Sequence, residues 1–436
     1  MDIRCTAGGH RAVSRGGTMG QPTQGGNTLV DPQRLWDRHM ALAAIGGLPN
    51  GGVDRQALTL AEAEARIRLI EWGGEIGLAP EVDCIGNLFL RYPGRDAAAA
   101  PVVIGSHIDT QPTGGRFDGV FGVLSGLEAL HGLRASGWEP ERSVDLVAWN
   151  NEEGCRFPPT TMGSSVFSGA LPVAEALDTV DGQGVSVADA LQAVADNVGS
   201  LPTRPLGFSV HAFLEAHIEQ GPVLEARKCP LGVVTGVQGL RWYRIDVRGQ
   251  SAHAGTTPES LRRDALVAAH RMLATLRVHF LGGSDHEDTR FTVGRFQVQP
   301  GVPNTIPGHV HFTIDFRHPD AERLGELGDA VASICREHAG PCEVTVEAEP
   351  ASPPIQFAPS IVALLDRAAR AEGVEPLQLM SGATHDAKWL STVAPAGMLF
   401  IPCKDGISHN EAESAEPAHL EIGARVLQRA LRELAA

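Results

Sequence analysis

Apolar and polar positions follow two styles along this chain, and the change of style divides it. Between residues 29 and 239, helix-period segments alternate with short, wholly apolar runs. Residues 29–77 read as mainly helical, and in 59–78 Leu60, Ala63, Ile67 and Ile70 recur near a period of 3.6. Residues 80–94 predict two strands around a Gly-Asn turn. PVVI (101–104) and the run within 143–149 have no polar alternation and predict strands buried on both faces. The segment after Asp118 predicts a helix, although Gly119, Gly122 and Gly126 recur along it. Each such glycine costs a helix about 1 kcal/mol, so their spacing predicts close backbone approach to a sheet. Helical stretches follow around 162–177 and 186–197. In FLEAHIEQ, Glu215, His217 and Glu219 alternate with Leu214, Ala216 and Ile218. That period of two predicts a strand with one ionisable face, either half-exposed or forming the wall of a site.

From 240 to 349 the strands become half-polar. In 309–318, His309, His311, Thr313, Asp315 and Arg317 alternate with Val310, Phe312, Ile314 and Phe316. Strands at 241–249, 290–299, 309–318 and 342–349 enclose helices at 256–278 and 321–340. Thr257 is the expected cap of the first helix, with Pro258 at its first position. The order β-α-β-β-α-β is that of a ferredoxin-like unit, with helices on one face of its sheet. After 350 the first style resumes, with helices at 359–373, 384–391 and 416–435 and strands at 376–382 and 396–403. The expected architecture is α/β: a discontinuous helix–strand domain, 29–239 and 350–436, holding an inserted α+β domain, 240–349. Glycines at 236–239 and prolines at 350–354 suit hinges between the two. Residues 1–28 are rich in Gly, Thr, Ser and Arg and lack an apolar signal-peptide core, so a disordered leader is expected, with Met1 or Met19 as the start.

Composition narrows the function. A net charge of -16, from 36 Lys and Arg against 52 Asp and Glu, disfavours a surface that tracks nucleic-acid phosphates. No run of about 18 apolar residues predicts a membrane span. Seven scattered cysteines without a CxxC pair argue against a disulfide framework and a cysteine zinc site, and suit a reduced, cytoplasmic setting. Cys155 lies near the candidate chemistry but reads as packing rather than as a nucleophile.

That chemistry centres on IGSHIDTQPTGGRFDG (104–119). His107 and Asp109 stand two apart at a strand end, so an extended backbone turns them to one side. Asp118 precedes a helix. Glu152 and Glu153 end the second buried strand, where one carboxylate can hold a metal while its neighbour stays free as a base. With His217 and His409 the candidate ligands are His107, Asp118, Glu153, His217 and His409. A histidine–carboxylate set without cysteine suits a catalytic divalent ion. Five ligands exceed what one tetrahedral ion with an open position takes, and suit two ions sharing a carboxylate.

GSHIDTQPTGGRFDG, NNEEGCRF, EAHIEQGP, GQSAHAGTTP, PNTIP, DFRHPD, GATHDA and GISHNE together give a specific likeness. On these motifs the chain closely resembles zinc-dependent amidohydrolases of the hydantoinase/carbamoylase type. That type includes N-carbamoyl-L-amino-acid hydrolases, beta-ureidopropionases and allantoate amidohydrolases, within the dimetal aminopeptidase and aminoacylase superfamily. The resemblance spans about 400 residues. It implies a dimetal-hydrolase domain with a mixed central sheet flanked by helices, and makes the inserted domain a lid and dimerisation domain. It implies two divalent ions, zinc first, with manganese, cobalt or nickel as alternatives. His107, Asp118 and His217 would hold one ion and Asp118, Glu153 and His409 the other, with Asp109 behind them as an orienting group.

The resemblance makes Glu152 the general base toward a water activated by the metals, and His253 an oxyanion stabiliser reaching the active site of the other subunit in a homodimer. Gln220, Asn304, Arg317, Gly382 and His385 would bind a small carboxylate substrate. The reaction implied is hydrolysis of the ureido C–N bond of an N-carbamoyl-L-amino acid. Allantoate, N-carbamoyl-beta-alanine and N-acyl amino acids are the alternative substrates. Thr384 stands where GAGHDA, common among relatives, has glycine, and a side chain there is expected to narrow the pocket or to alter backbone contacts to the substrate carboxylate. A non-catalytic binding relative is disfavoured because Glu152 and all five ligands are present.

Overall fold

Nine strands form the larger sheet of the computed structural model, which describes residues 29–284 and 286–436. The expected leader, 1–28, lies outside the described residues. Four strands at the centre run parallel: Val144–Trp149, Val102–His107, Ala212–Ile218 and Ala396–Ile401. Their carboxyl ends therefore emerge along one edge, which is where open α/β sheets build their sites. Leu88–Tyr92 and Ala79–Val82 extend one side antiparallel. On the other side Gly232–Val237 pairs antiparallel with Ala396–Ile401 and parallel with Leu377–Ser381. The central sheet is mixed, as expected.

Helices cover both faces. Val120–Ala135 and Pro417–Leu434 pack one face over Ile104, Leu146, Leu214 and Ile401. Phe89, Val103, Trp149, Phe213 and Phe400 fill the other with Phe167 and Leu390. This double cover decides between the two readings of that strand: all seven residues of Ala212–Ile218 are buried, so its ionisable face forms the wall of a site and is not half-exposed. Its charged side chains are enclosed by a polar site. The glycines before and within Val120–Ala135 do bring the helix close. A Cβ on Gly122 would stand 2.3 Å from the carbonyl oxygen of Ala216.

The smaller sheet has its own core. Its strands lie in the order Phe296–Gln299, His309–His318, Gly239–Arg248, Glu343–Ala348, with Arg290–Thr292 also paired to His309–His318. All of these pairs are antiparallel, which is the ferredoxin-like order with its second strand split. Val310, Phe312, Ile314 and Phe316 pack beneath Met272, Leu276 and Leu327 from the helices on one face. The alternate residues, His309 to Arg317, stand on the other face. Two helix boundaries differ from expectation. The first helix begins at Ala265, because Asp264 accepts hydrogen bonds from the N–H groups of Leu266 and Val267, and Thr257 caps nothing. The second divides at Ala330 into Ala321–Asp329 and Val331–Glu337.

Candidate active site

Loops following the parallel strands bring five predicted ligands together. His107 ends its strand, and its Nδ1 lies 2.9 Å from the carbonyl oxygen of Asp109. His217 has the same arrangement, with Nδ1 2.9 Å from the carbonyl oxygen of Ile218. A carbonyl accepts only, so each Nδ1 carries the proton and each Nε2 offers a lone pair. Those lone pairs face Asp118 Oδ1, at 3.7 Å from His107 and 3.1 Å from His217. Asp118 Oδ2 lies 3.1 Å from Nε2 of His409, which is itself 3.3 Å from Glu153 Oε2. Two groups result, His107–Asp118–His217 and Asp118–Glu153–His409, each with its donor atoms within 4.8 Å of one another. Lone pairs converging on carboxylate oxygens repel unless a cation stands among them. The donor set therefore fits two divalent cations sharing Asp118.

A third group, Glu215–His217–His385, is close enough geometrically but is already satisfied. Glu215 accepts from Ser106 Oγ at 2.7 Å and from the Ala387 N–H at 2.8 Å, and His385 Nε2 lies 2.9 Å from Ser381 Oγ. It supports His217 from behind.

Asp109 aims the neighbouring carboxylates. Its Oδ1 accepts the N–H of Glu152 at 3.2 Å and its Oδ2 the N–H of Glu153 at 3.1 Å. Asn151 before this pair has φ 51°, and Gln220 and His409 have φ near 55°. Left-handed backbone at a non-glycine residue costs on the order of 1–3 kcal/mol and gathers at functional sites. Glu152 Oε2 reaches to 3.5 Å from His107 Nε2.

The charges here are strongly perturbed. Burial pushes the Glu152 carboxyl well above its ordinary range, outweighing the attraction of His107. Burial, with Asp118 close by, raises Glu153 to about 7. Burial opposes ionisation of Asp118 too, but with no cation among them the surrounding His107, His217 and His409 outweigh it and hold Asp118 well below the usual range. His409, hydrogen-bonded to Asp118, rises to about 9. Burial, reinforced by His217, keeps His385 neutral. Cys155 is raised to about 12, chiefly by desolvation, so it forms no thiolate.

The groups open into a cleft of about 710 Å³, lined also by Gln220, Trp242, Arg317, Thr384, His385 and Lys388. Gln220 Nε2 donates to Asp118 Oδ2 at 3.0 Å. Arg317 Nε and Nη2 are held by the two oxygens of Asp315 at 3.1 and 3.0 Å, and its Nη1 donates to the Gly382 carbonyl. Gly382 itself is outside the cleft lining, while Ala383 and Thr384 belong to it. His253 and Asn304 stand apart from these. Both are exposed, beside the short pairing of Ala252–His253 with Thr305–Ile306, and neither lines the cleft.

Sequence reasoning missed three supporting residues. Glu413 is buried and accepts from the N–H groups of Phe117 and Asp118 and from Ser408 Oγ, so it fixes the Asp118 loop. Its signal was present, as an additional carboxylate in the KDGISHNEAE loop. Arg55 is fully buried and donates to the carbonyls of Leu42, Ile45 and Ile108. Nothing in its neighbourhood of sequence marks it. Lys388 is the third.

The family model for peptidase family M20/M25/M40 matches residues 103–433. The chain belongs to this family. Within M20/M25/M40, an N-carbamoyl-L-amino-acid amidohydrolase of Rhizobium meliloti is 40% identical over 94% of this chain and 98% of the relative. One of Geobacillus stearothermophilus is 36% identical over 93% and 99%. A solved amidase of the hydantoinase/carbamoylase family from Burkholderia multivorans superposes with a TM-score of 0.88 at 44% identity, covering 93% of this chain and 98% of that one. The expected resemblance to amidohydrolases of the hydantoinase/carbamoylase type is thereby borne out.

Proposed function

We propose that this M20/M25/M40 member hydrolyses the ureido C–N bond of an N-carbamoyl-L-amino acid, giving amino acid, ammonia and carbon dioxide. The observation that carries the reading is the likeness to N-carbamoyl-L-amino-acid amidohydrolases along nearly the whole chain. The site geometry supports it, because Glu152 stands beside both donor groups in one cleft.

In this reading His107, Asp118 and His217 hold one divalent ion, and Asp118, Glu153 and His409 the other. Zinc suits the donors first, and manganese, cobalt or nickel are alternatives. Such ions, when bound, supply Lewis acidity toward a carbonyl oxygen and toward water. Glu152 takes the proton of the attacking water and returns it to the departing nitrogen. A carboxyl whose pKa is raised by burial suits both directions near neutral pH. Gln220 orients the ureido group, and His385, held neutral, donates or accepts without adding charge. Arg317 exchanges Asp315 for the substrate carboxylate, which its planar fork matches.

His253 and Asn304 serve the site only from elsewhere, because in a single chain they lie off the cleft. We assign them to a homodimer in which residues 240–349 act as lid and dimerisation domain and His253 of a second copy steadies the oxyanion. The described cysteines are all free, which suits a cytoplasmic enzyme. No helix among the described residues is long and apolar enough to cross a membrane.

The test is ammonia release by metal-loaded protein from N-carbamoyl-L-amino acids, N-carbamoyl-beta-alanine and allantoate, with Glu152→Gln as control. Turnover of the first class, abolished in the control, is expected. Turnover of allantoate alone would move the assignment to that amidohydrolase. No turnover of any member by protein carrying two ions would sink it in favour of N-acyl substrates.

A further inference from the structure

The cleft holds one arginine and one lysine, and their situations differ. Arg317, from the smaller sheet, already has its fork on Asp315. Lys388, from the short helix Asp386–Leu390 of the larger unit, has no carboxylate within 4 Å among the described residues. Its Nζ donates to Ser352 Oγ at 2.5 Å and stands 4.8 Å from the centre of the Trp389 ring. It is half-buried, and burial alone acts on it, lowering its pKa with no neighbouring acid to offset the effect. An ammonium drawn out of water without a counter-ion costs free energy that a surface position would avoid. Lysines can stretch to water, yet this one turns toward a cleft walled by Trp242, Trp389, Leu171 and Leu240.

A substrate with one carboxylate needs one of these cations. The floor of the cleft is taken up by the two donor groups and Glu152, so a second anionic group on the substrate must find its cation on the walls. A volume of about 710 Å³ has room for a side chain beyond the ureido acid.

We propose that Lys388 is a specificity-determining residue that receives a second carboxylate, on the substrate side chain, so that the enzyme prefers dicarboxylic ureido acids over neutral ones. This rests on the amidohydrolase reading. The ammonium exchanges its bond to Ser352 for a charge-assisted bond to the carboxylate, and the apolar walls strengthen that bond by excluding water.

N-carbamoyl-L-glutamate and N-carbamoyl-L-glutamine, nearly equal in shape and different by one charge, make the comparison. The ratio of kcat/KM, acid over amide, should be about tenfold or more in the wild type, as a charged hydrogen bond implies. Lys388→Met should lower that ratio at least tenfold, mainly through KM, and Lys388→Arg should restore most of it. A ratio unmoved by Lys388→Met overturns the proposal. So does an equal loss on both compounds, because it would place Lys388 on the carboxylate they share. Binding of the two compounds to metal-loaded Glu152→Gln protein, with and without Lys388→Met, is read by calorimetry and does not need turnover. Acid bound tighter than amide through Lys388, with neither cleaved by the wild type, would keep Lys388 as the site of the second carboxylate and count against the amidohydrolase reading alone.

Discussion

The two sheets of this protein use the same side-chain types for opposite ends. In the larger sheet, neighbouring parallel strands end along one edge, and His107, Glu152, Glu153, His217 and Gln220 follow from three of those ends. In the smaller sheet every neighbouring pair is antiparallel, so carboxyl ends alternate between edges and no cluster of that kind can form. Its ionisable residues stay spread along an open face. Asp246 accepts from His309 at 2.8 Å and lies 3.3 Å from His311, with each group partly exposed. The lesson is topological. Parallel strands buried on both faces concentrate charge at one place and desolvate it. An antiparallel sheet covered on one face offers an adjustable wall, from which Trp242 and Arg317 reach the cleft.

The sharpest way to break this comparison is to change charge at the concentrated end. Glu152→Gln should lower kcat by about 10²–10⁴-fold, the usual worth of the general-base role proposed for it. Metal content, measured by elemental analysis, should stay at the wild-type level, because Glu152 belongs to neither donor group. Asp118→Asn, which belongs to both, should abolish activity and lower metal content at both positions together. Retention of one full ion in Asp118→Asn would show that the two groups do not share this carboxylate.

Much of this contrast was legible in the sequence because periodicity reports burial. The apolar run before His107 and the alternation from His309 to Arg317 announced one strand covered on both faces and one covered on a single face. The candidate ligands were legible because histidine and carboxylate at strand ends are chemically conspicuous. Local pattern failed where a distant element decided the outcome. FLEAHIEQ alternates like a surface strand, yet helices and strands far away in the chain enclose both of its faces. Thr257 followed by proline resembles a helix start, but the loop makes a short 3₁₀ turn and leaves capping to Asp264. Arg55 and Glu413 act through backbone groups that only the tertiary fold brings to them. Arg317 was legible as a carboxylate fork, but its pairing with Asp315 was not.

The two regions should also differ in how acid undermines them. His39, in the larger unit, is fully buried, with Nδ1 2.8 Å from the Leu35 carbonyl and its pKa lowered to about 4 by burial. An unfolded histidine titrates near 6.5. A base depressed on folding contributes stability that is present above the unfolded pKa and lost as pH falls toward the folded one. The window is therefore pH 6.5 to 4, and the loss is on the order of 3 kcal/mol for a group this buried. Asp246 in the smaller sheet is a depressed acid. Partial burial opposes its ionisation, but hydrogen bonds from His309 and His311 prevail. Its contribution is lost only as pH falls below the ordinary carboxylate range. Urea midpoints across pH should show a shallower slope between 6.5 and 4 for His39→Leu than for wild type, and an unchanged slope there for Asp246→Asn. Parallel slopes for His39→Leu and wild type would show that His39 is not buried neutral.

Two glycines give the smallest and most direct test, because the same substitution should act with opposite sign in the two regions. Gly122 lies in Val120–Ala135 against the larger sheet, and an added methyl would meet the Ala216 carbonyl at 2.3 Å and Ser106 Cβ at 2.7 Å. Backbone cannot retreat cheaply, so Gly122→Ala should lose about 1–3 kcal/mol of unfolding free energy. Gly325 lies in Ala321–Asp329 beside the smaller sheet, where a methyl would meet nothing within 4 Å. There alanine gains helix propensity and restricts the unfolded chain, so Gly325→Ala should add about 0.4–1 kcal/mol. Denaturant midpoints at constant slope measure both. The pair matters more than either value, since opposite signs mean that helix approach in the larger unit is set by contact with the sheet while in the smaller unit it retains slack. A loss at Gly325 equal to that at Gly122 would make the smaller sheet as tightly backed as the larger, and its role as an adjustable wall would fail with it.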